Sequence, residues 1–230
     1  MHSEGLSIFN KANGDRIKLE VYDLGVIDYG KCLELQRAYH RKLIEGTQGD
    51  LLLTCSHNPV ITCGTSTETE HLYLPSSEIE ASGVPVVKVE RGGSVTYHGP
   101  EQAVCYPLIN LHNHKTDVGW YMRSLEEVVI KTLAEYGVVG LRIPGKTGVW
   151  LDENSKIAFS GVRISRWCTL HGFSLNILPC SLRFAPINPC GLGKIRLASL
   201  SEMIAPRQVS VAEVTHRLIA NFLEVFNYEA

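Results

Sequence analysis

Cys190, in the stretch "INPCG" at 187–191, has the local setting of a presented nucleophile. A proline before it and a glycine after it favour a tight turn that would expose the thiol. The thiolate is the reactive form, and a free cysteine has a pKa of about 8.5, so attack at neutral pH calls for a nearby cation. Six other cysteines, at 32, 55, 63, 105, 168 and 180, stand beside it. Most free cysteines are buried small hydrophobes. Cys180 also follows a proline, so the Pro-Cys pair alone decides little.

Lys156 supplies a cation that could act with such a thiol. It opens the apolar run "KIAFSGV" after the polar "DENS" turn. Two readings stand: a solvated strand end, or an ammonium turned into a cleft. There burial would lower its pKa, or a neighbouring thiolate would hold it charged. The stretch "RGGSVTYHGPEQAVCYP" at 91–107 is a third candidate. Two glycines let a ligand approach the backbone, and Thr96, Tyr97 and His98 add hydroxyls and an imidazole. No Gly-Lys-Ser/Thr follows and the third glycine of a dinucleotide fingerprint is missing, so a tight polar β-turn is the competing reading. His171-Gly172 repeats the His98-Gly99 pairing, although a lone strand histidine is more often a satisfied core group.

The elements that must hold these groups follow from periodicity. Residues 27–45 and 117–136 carry helical apolar stripes, the second starting at the N-cap Asp117. A third helix opens with Ser210 and Glu213 as a capping box. Residues 50–55 and 59–64 read as buried strands around the turn "SHNP", and 84–90 as another. Residues 102–111 form a strand in which Pro107 needs an edge or a bulge. From 147 to 178 the pattern is β-like. Helices and strands do not alternate regularly, which favours an α+β fold with a mixed, mainly antiparallel sheet, in one domain spanning 1–230.

Bulk properties bound the function. The 230 residues are 44% hydrophobic and 20% charged, ordinary globular values. A net charge of −2 without a basic stripe gives no footprint for nucleic acid. No segment approaches the roughly 18 apolar residues of a membrane span, and the first residues lack the apolar core of a signal peptide. The expectation is a cytoplasmic protein. An odd number of cysteines without a C-x-x-C pair points to free thiols and argues against disulfides or structural zinc.

Taken in order, "RGGSVTYHGP" (91–100), "PGKTGVW" (144–150), "KIAFSGVRISRWCTLHGFSLN" (156–176) and the F-x-x-I-x-P-C-G pattern (184–191) resemble the lipoyl(octanoyl) transferase family. "LLLTCSHNPVITCG" (51–64) matches more loosely, and coverage runs from about 20 to 225. The resemblance implies a biotin/lipoate protein ligase-like fold, a central mixed sheet flanked by helices. It implies octanoyl transfer from acyl carrier protein to a lysine on the lipoyl domains of 2-oxoacid dehydrogenases and the glycine cleavage H protein. By position, Cys190 takes the nucleophile's role and Lys156 that of its pKa-lowering partner. The substrate loop carries over to Arg91, Gly92, Gly93, Ser94, Val95, Thr96, Tyr97 and His98. Acyl-pocket contacts carry over to Phe159, Ser160, Gly161, Gly172, Phe173 and Ser174.

The small and apolar members of that set would suit a slot for an eight-carbon tail. No metal or cofactor is expected, since a thioester-to-amide transfer runs downhill without ATP, and a monomer is the plainer expectation. Glu101 replaces a usual glycine, "SHNP" the usual Glu-His-Pro-Pro, and Thr65 a common arginine. An ATP-dependent ligase of the same fold, a Cys-His thioesterase using His98 or His171, and a silent acyl-binding protein are the alternatives.

Overall fold

The computed structural model describes residues 17–189 and 195–229. Eight strands form the main sheet, and its centre is buried on both faces. β2 (Leu51–His57), β6 (Gln102–Leu108) and β10 (Cys168–Asn176) are buried throughout, polar residues such as Thr54, His57, Gln102, Thr169, His171 and Asn176 included. The sheet order is β1 (Glu20–Ile27), β2, β6, β10, β9 (Ser155–Ser165), β8 (Lys146–Trp150) and β7 (Leu141–Ile143). The short β11 (Arg196–Leu197) pairs with β9. Among the described strands of this sheet only the β1–β2 and β9–β11 pairs are parallel, which agrees with the mixed, mainly antiparallel expectation.

Strand alternation divides the core. Leu52, Ala103 and Cys105 face α3 (Val118–Ala134) and α5 (Val211–Phe226). Leu51, Leu53, Cys55, Val104 and Tyr106 face the other way, toward α1 (Tyr29–Glu45). Asp28 and Asp117 cap α1 and α3, each accepting a backbone N–H three residues on. Ser210 caps α5 likewise, but the capping box is half formed. The Glu213 carboxylate accepts from the Tyr136 hydroxyl at 2.9 Å instead of turning back to the cap.

A second sheet of three strands, β4 (Val86–Lys88), β3 (Val60–Cys63) and β5 (Val95–His98), lies beside the first. β2 and β3, close in sequence around "SHNP", therefore belong to different sheets. Two short α-helices, α2 (Ser76–Ala81) and α4 (Leu200–Ile204), and three 3₁₀ turns at Thr69–His71, Leu111–Asn113 and Ser181–Phe184 complete the described elements. Among the described residues, no helix is long and apolar enough to cross a membrane.

Pro107 sits in a central strand rather than at an edge, opposite Leu52 of β2. The reason it is tolerated is a break in the ladder on its other side. Regular β6–β10 pairing runs from Gln102–Asn176 to Cys105–Phe173 and stops there. Beyond it the Thr169 hydroxyl donates to the Pro107 carbonyl at 2.8 Å. The N–H that proline lacks would point to this same side, where no strand carbonyl is in register to receive it. Across the break stands His171, with φ of 62°.

Candidate active site

The loop 91–94 is held from within. Arg91 is buried, and its guanidinium donates to the Thr62 carbonyl (2.7 Å), the Thr62 hydroxyl (2.8 Å) and the Ser94 carbonyl (2.7 Å). Its charge thus fastens the loop to β3, a clamp's role more than a ligand's. Gly92 donates to the Val162 carbonyl of β9 at 2.9 Å, and Gly93 takes a left-handed φ of 81°. A Cβ on Gly64 would overlap the Gly93 carbonyl, which explains glycine at the end of β3. The Ser94 hydroxyl donates to His71 Nδ1 at 2.6 Å, a partner that the sequence did not suggest.

The loop, β9 and β10 enclose a cavity of about 480 Å³ counting its open mouth. Arg91, Gly93, Ser94, Val95, Thr96 and His98 line one side; Phe159, Ser160, Gly161, Gly172, Phe173 and Ser174 line the other. Gly161 permits this closeness, because a Cβ there would stand 3.0 Å from the Gly92 carbonyl. Of the expected substrate residues, Gly92 and Tyr97 fall outside the lining. The Tyr97 ring points away to Phe184 (5.4 Å between centroids), and its hydroxyl donates to Glu101 at 3.3 Å. Tyr29, Val104 and Tyr106 line the cavity without having been expected to, and His171, expected only as a core group or a thioesterase's histidine, joins them. Tyr29, on the first turn of α1, carries no motif to reveal it.

The lining is mainly apolar, but it carries polar atoms that lack a partner. Thr96 Oγ1, Ser174 Oγ and both ring nitrogens of His171 are buried without a hydrogen-bond partner among the described residues. Buried polar atoms of this kind are uncommon and favour a ligand or ordered solvent that satisfies them.

A chain of side chains fixes the state of His98. The Ala198 carbonyl can only accept, so Asn176 turns its amide nitrogen to it at 3.0 Å. The Asn176 oxygen then receives the Gln102 amide (2.8 Å), and the Gln102 oxygen faces His98 Nδ1 (3.0 Å). The His98 proton therefore lies on Nδ1, leaving Nε2 as a lone pair. Burial, with smaller contributions from His57 and Arg91, depresses its pKa to about 3, so the ring is neutral at pH 7. Its one N–H is given to Gln102, so His98 can accept a proton or hydrogen bond but does not donate one to an oxyanion.

His171 is also neutral, for a different balance of reasons. Its Nε2 lies 3.9 Å from Glu90, close enough for an ion pair if it were protonated. At 1% exposure, however, burial outweighs that attraction and holds the pKa near 4. Glu90 has a better cation in Arg37, which binds both its oxygens at 2.9 and 2.7 Å and draws its pKa down to about 2.

Lys156 is 2% exposed, which rules out a solvated strand end. Its Nζ lies 4.7 Å from the centroid of Phe159, a cavity residue, and 5.1 Å from that of Trp150. Gly148 makes room: a Cβ there would be 3.0 Å from the Lys156 Cε and would overlap the Ala158 carbonyl. Cys190 lies outside the described residues. The chain before it is anchored by Tyr73 donating to the Pro186 carbonyl and Asn188 to the His71 carbonyl, each at 2.8 Å. The chain after it returns as β11, where Leu197 pairs with Lys156 itself. Glu101 contributes on the near side, 3.6 Å from Arg183 in the turn that precedes this segment.

The six described cysteines are free and buried. Cys180, at 4% exposure, packs against the small sheet, and burial pushes its thiol up to about 12.

Residues 28–223 match the family model of the lipoyl protein ligase A/B catalytic domain. A protein of Chloroflexus aggregans named octanoyltransferase is 43% identical over 211 residues, covering 91% of this chain and 95% of its own. A Nostoc octanoyltransferase is 40% identical over 210 residues, covering 91% and 92%. Among solved structures, the bipartite archaeal lipoate protein ligase of Thermoplasma acidophilum superposes with a TM-score of 0.71 at 15% identity, over 93% of this chain and 85% of that one.

Proposed function

The chain belongs to the lipoyl protein ligase A/B catalytic-domain family and is an acyltransferase; we propose that it moves an octanoyl group from acyl carrier protein to a lysine of a lipoyl domain. The observation that carries this reading is Lys156, a buried lysine against the cavity wall and paired with the strand that follows the Cys190 segment.

In the proposed reaction the Lys156 ammonium favours the thiolate of Cys190. The thiolate attacks the carrier's thioester carbonyl, a tetrahedral oxyanion forms, and the carrier thiol leaves. One thioester replaces another, so the acyl-enzyme is formed at little net cost. Acylation removes the thiolate charge that held Lys156 protonated. As a neutral amine it can then take a proton from the incoming lysine. That amine attacks, Cys190 leaves as thiolate, and the amide product makes the second step favourable. Since His98 is an acceptor and the Gly92 N–H is given to Val162, the oxyanion is assigned to the backbone amides of Gly93 and Ser94. The tail occupies the cavity between Val95 and Phe173, where each buried methylene contributes about 0.8 kcal/mol.

Intact mass spectrometry after incubation with octanoyl carrier protein tests the scheme. The parent gains one octanoyl group and passes it to a lipoyl domain; Cys190→Ser gains none. Lys156→Ala transfers more slowly by about 10²-fold or more. Labelling of Cys190→Ser equal to the parent would refute the nucleophile assignment. Release of free octanoate without an acylated domain would identify a thioesterase instead.

A further inference from the structure

On the opposite side of β6 from α3 and α5, Cys32 of α1 meets Cys55 and His57 at the end of β2. The three are buried, and their ligand atoms, two sulfurs and an imidazole nitrogen, all lie within 4.8 Å of one another. No C-x-x-C spacing announces them, because a helix and a strand bring them together.

We propose that Cys32, Cys55 and His57 form a binding site for a zinc-type divalent cation, with the Tyr106 hydroxyl as fourth ligand. Three observations carry this. His57 is oriented as a ligand: its Nδ1 faces the Ile27 carbonyl at 3.0 Å, which can only accept. The ring proton is therefore on Nδ1 and the lone pair on Nε2. That is the arrangement by which an outer carbonyl fixes a metal-binding histidine. Spacing is the second. Cys55 Sγ is 3.5 Å from His57 Nε2, and the Tyr106 oxygen is 2.8 Å from the same nitrogen. A tetrahedron with bonds of about 2.3 Å to sulfur and 2.0–2.1 Å to nitrogen has edges of about 3.5–3.8 Å. For the two sulfurs and the nitrogen, all within 4.8 Å of one another, filling the site therefore asks for shifts of about 1 Å or less. The third is charge: two thiolates and a neutral imidazole exactly offset a dication, whereas a monovalent soft ion would leave a buried net negative charge.

On binding, each thiol gives its proton to solvent, its sulfur lone pair forms the metal bond, and the Tyr106 hydroxyl turns its oxygen to the ion. The site would tie the first turns of α1 to β2 behind the cavity. His57 stacks edge-on to Tyr29 (5.1 Å) and His98 (5.9 Å), both cavity residues, so the ion would brace that wall. The inference does not depend on the acyl-transfer reading.

The test uses the full chain, reduced, stripped with a chelator and dialysed overnight against Co²⁺ as the spectroscopic stand-in. The expected result is one Co²⁺ per chain, with an intense thiolate-to-cobalt band in the near ultraviolet that Zn²⁺ abolishes. Loss of a group that merely orients a ligand already costs 10–100-fold in affinity, so Cys32→Ser or Cys55→Ser should weaken binding by about 100-fold or more. Cys180→Ser should leave it unchanged. Cys32→Ser, on a helix face, reads the site even if the strand variant fails to fold. The proposal is overturned if the folded parent takes no ion, or if the band survives in Cys32→Ser and vanishes in Cys190→Ser. It is equally overturned if mild oxidation links Cys32 to Cys55 in a protein that binds no metal.

Discussion

His98-Gly99 and His171-Gly172 are the same dipeptide, each at a wall of the same cavity, and the fold treats them oppositely. His98 ends a regular strand with its tautomer set by a relay from the Ala198 carbonyl. His171 stands at a break in the sheet, in a left-handed conformation, with neither ring nitrogen hydrogen-bonded among the described residues. Burial keeps both neutral. One imidazole is thus prearranged, while the other keeps its capacity for whatever enters the cavity. Strain of this kind costs about 1–3 kcal/mol and persists where the surroundings impose it, often beside a ligand site.

The glycines separate the pairs most sharply. A Cβ on Gly172 would overlap the Cys105 backbone carbonyl in the middle of the sheet, whereas one on Gly99 meets side-chain atoms of Tyr97 and Glu101. Gly172→Ala should therefore destabilise by about 3 kcal/mol or more, and Gly99→Ala by about 1–2 kcal/mol, in urea unfolding. Equal losses would mean that the break at Gly172 can relax.

Acidification tests the shared neutrality. Both histidines bind protons in the unfolded chain below about pH 6.5 but in the folded chain only near pH 4 and pH 3. The unfolded state then holds more protons, so stability falls as the pH drops from about 6.5 toward 4. Glu90 acts in the same direction lower down, losing its contribution from about pH 4.5 toward 2. His171→Gln should flatten the slope between pH 6 and 4 in thermal melts; an unchanged slope would show that His171 is not excluded from protonation.

The relay makes a smaller claim. Asn176→Leu removes the group that orients Gln102, with a cost of about 1–3 kcal/mol for the amide left unpaired. Nitrogen NMR should then find His98 in mixed tautomers, while the parent shows Nδ1–H alone. Least of all, His171→Asn should change stability by about 1 kcal/mol or less, since asparagine accepts the left-handed conformation and no hydrogen bond is lost. The matching His98→Asn should cost more, through the stranded Gln102 oxygen.

What was legible in the chain was whatever neighbours in sequence control. The caps at Asp28, Asp117 and Ser210 and the apolar stripes of α1, α3 and α5 come from residues three and four apart. The strand content and most of the cavity lining, in "RGGSVTYH", "AFSG" and "GFS", were readable from ordered motifs. Glu213 shows the limit of that: its carboxylate completes a distant Tyr136 contact in place of its own cap.

Only the tertiary structure decided how these groups would behave. Burial is a sum over remote elements, and it turned Lys156 from a strand-end lysine into an enclosed one. It made Arg91 a clamp on Thr62, let Pro107 stand in a central strand opposite a broken ladder, and gathered Cys32, Cys55 and His57 from a helix and a strand. The sequence by itself determined which side chains were present and the local backbone they prefer. Desolvation and hydrogen-bond partnership depend on neighbours far along the chain, so charge state and availability emerged only once the sheet had closed around them.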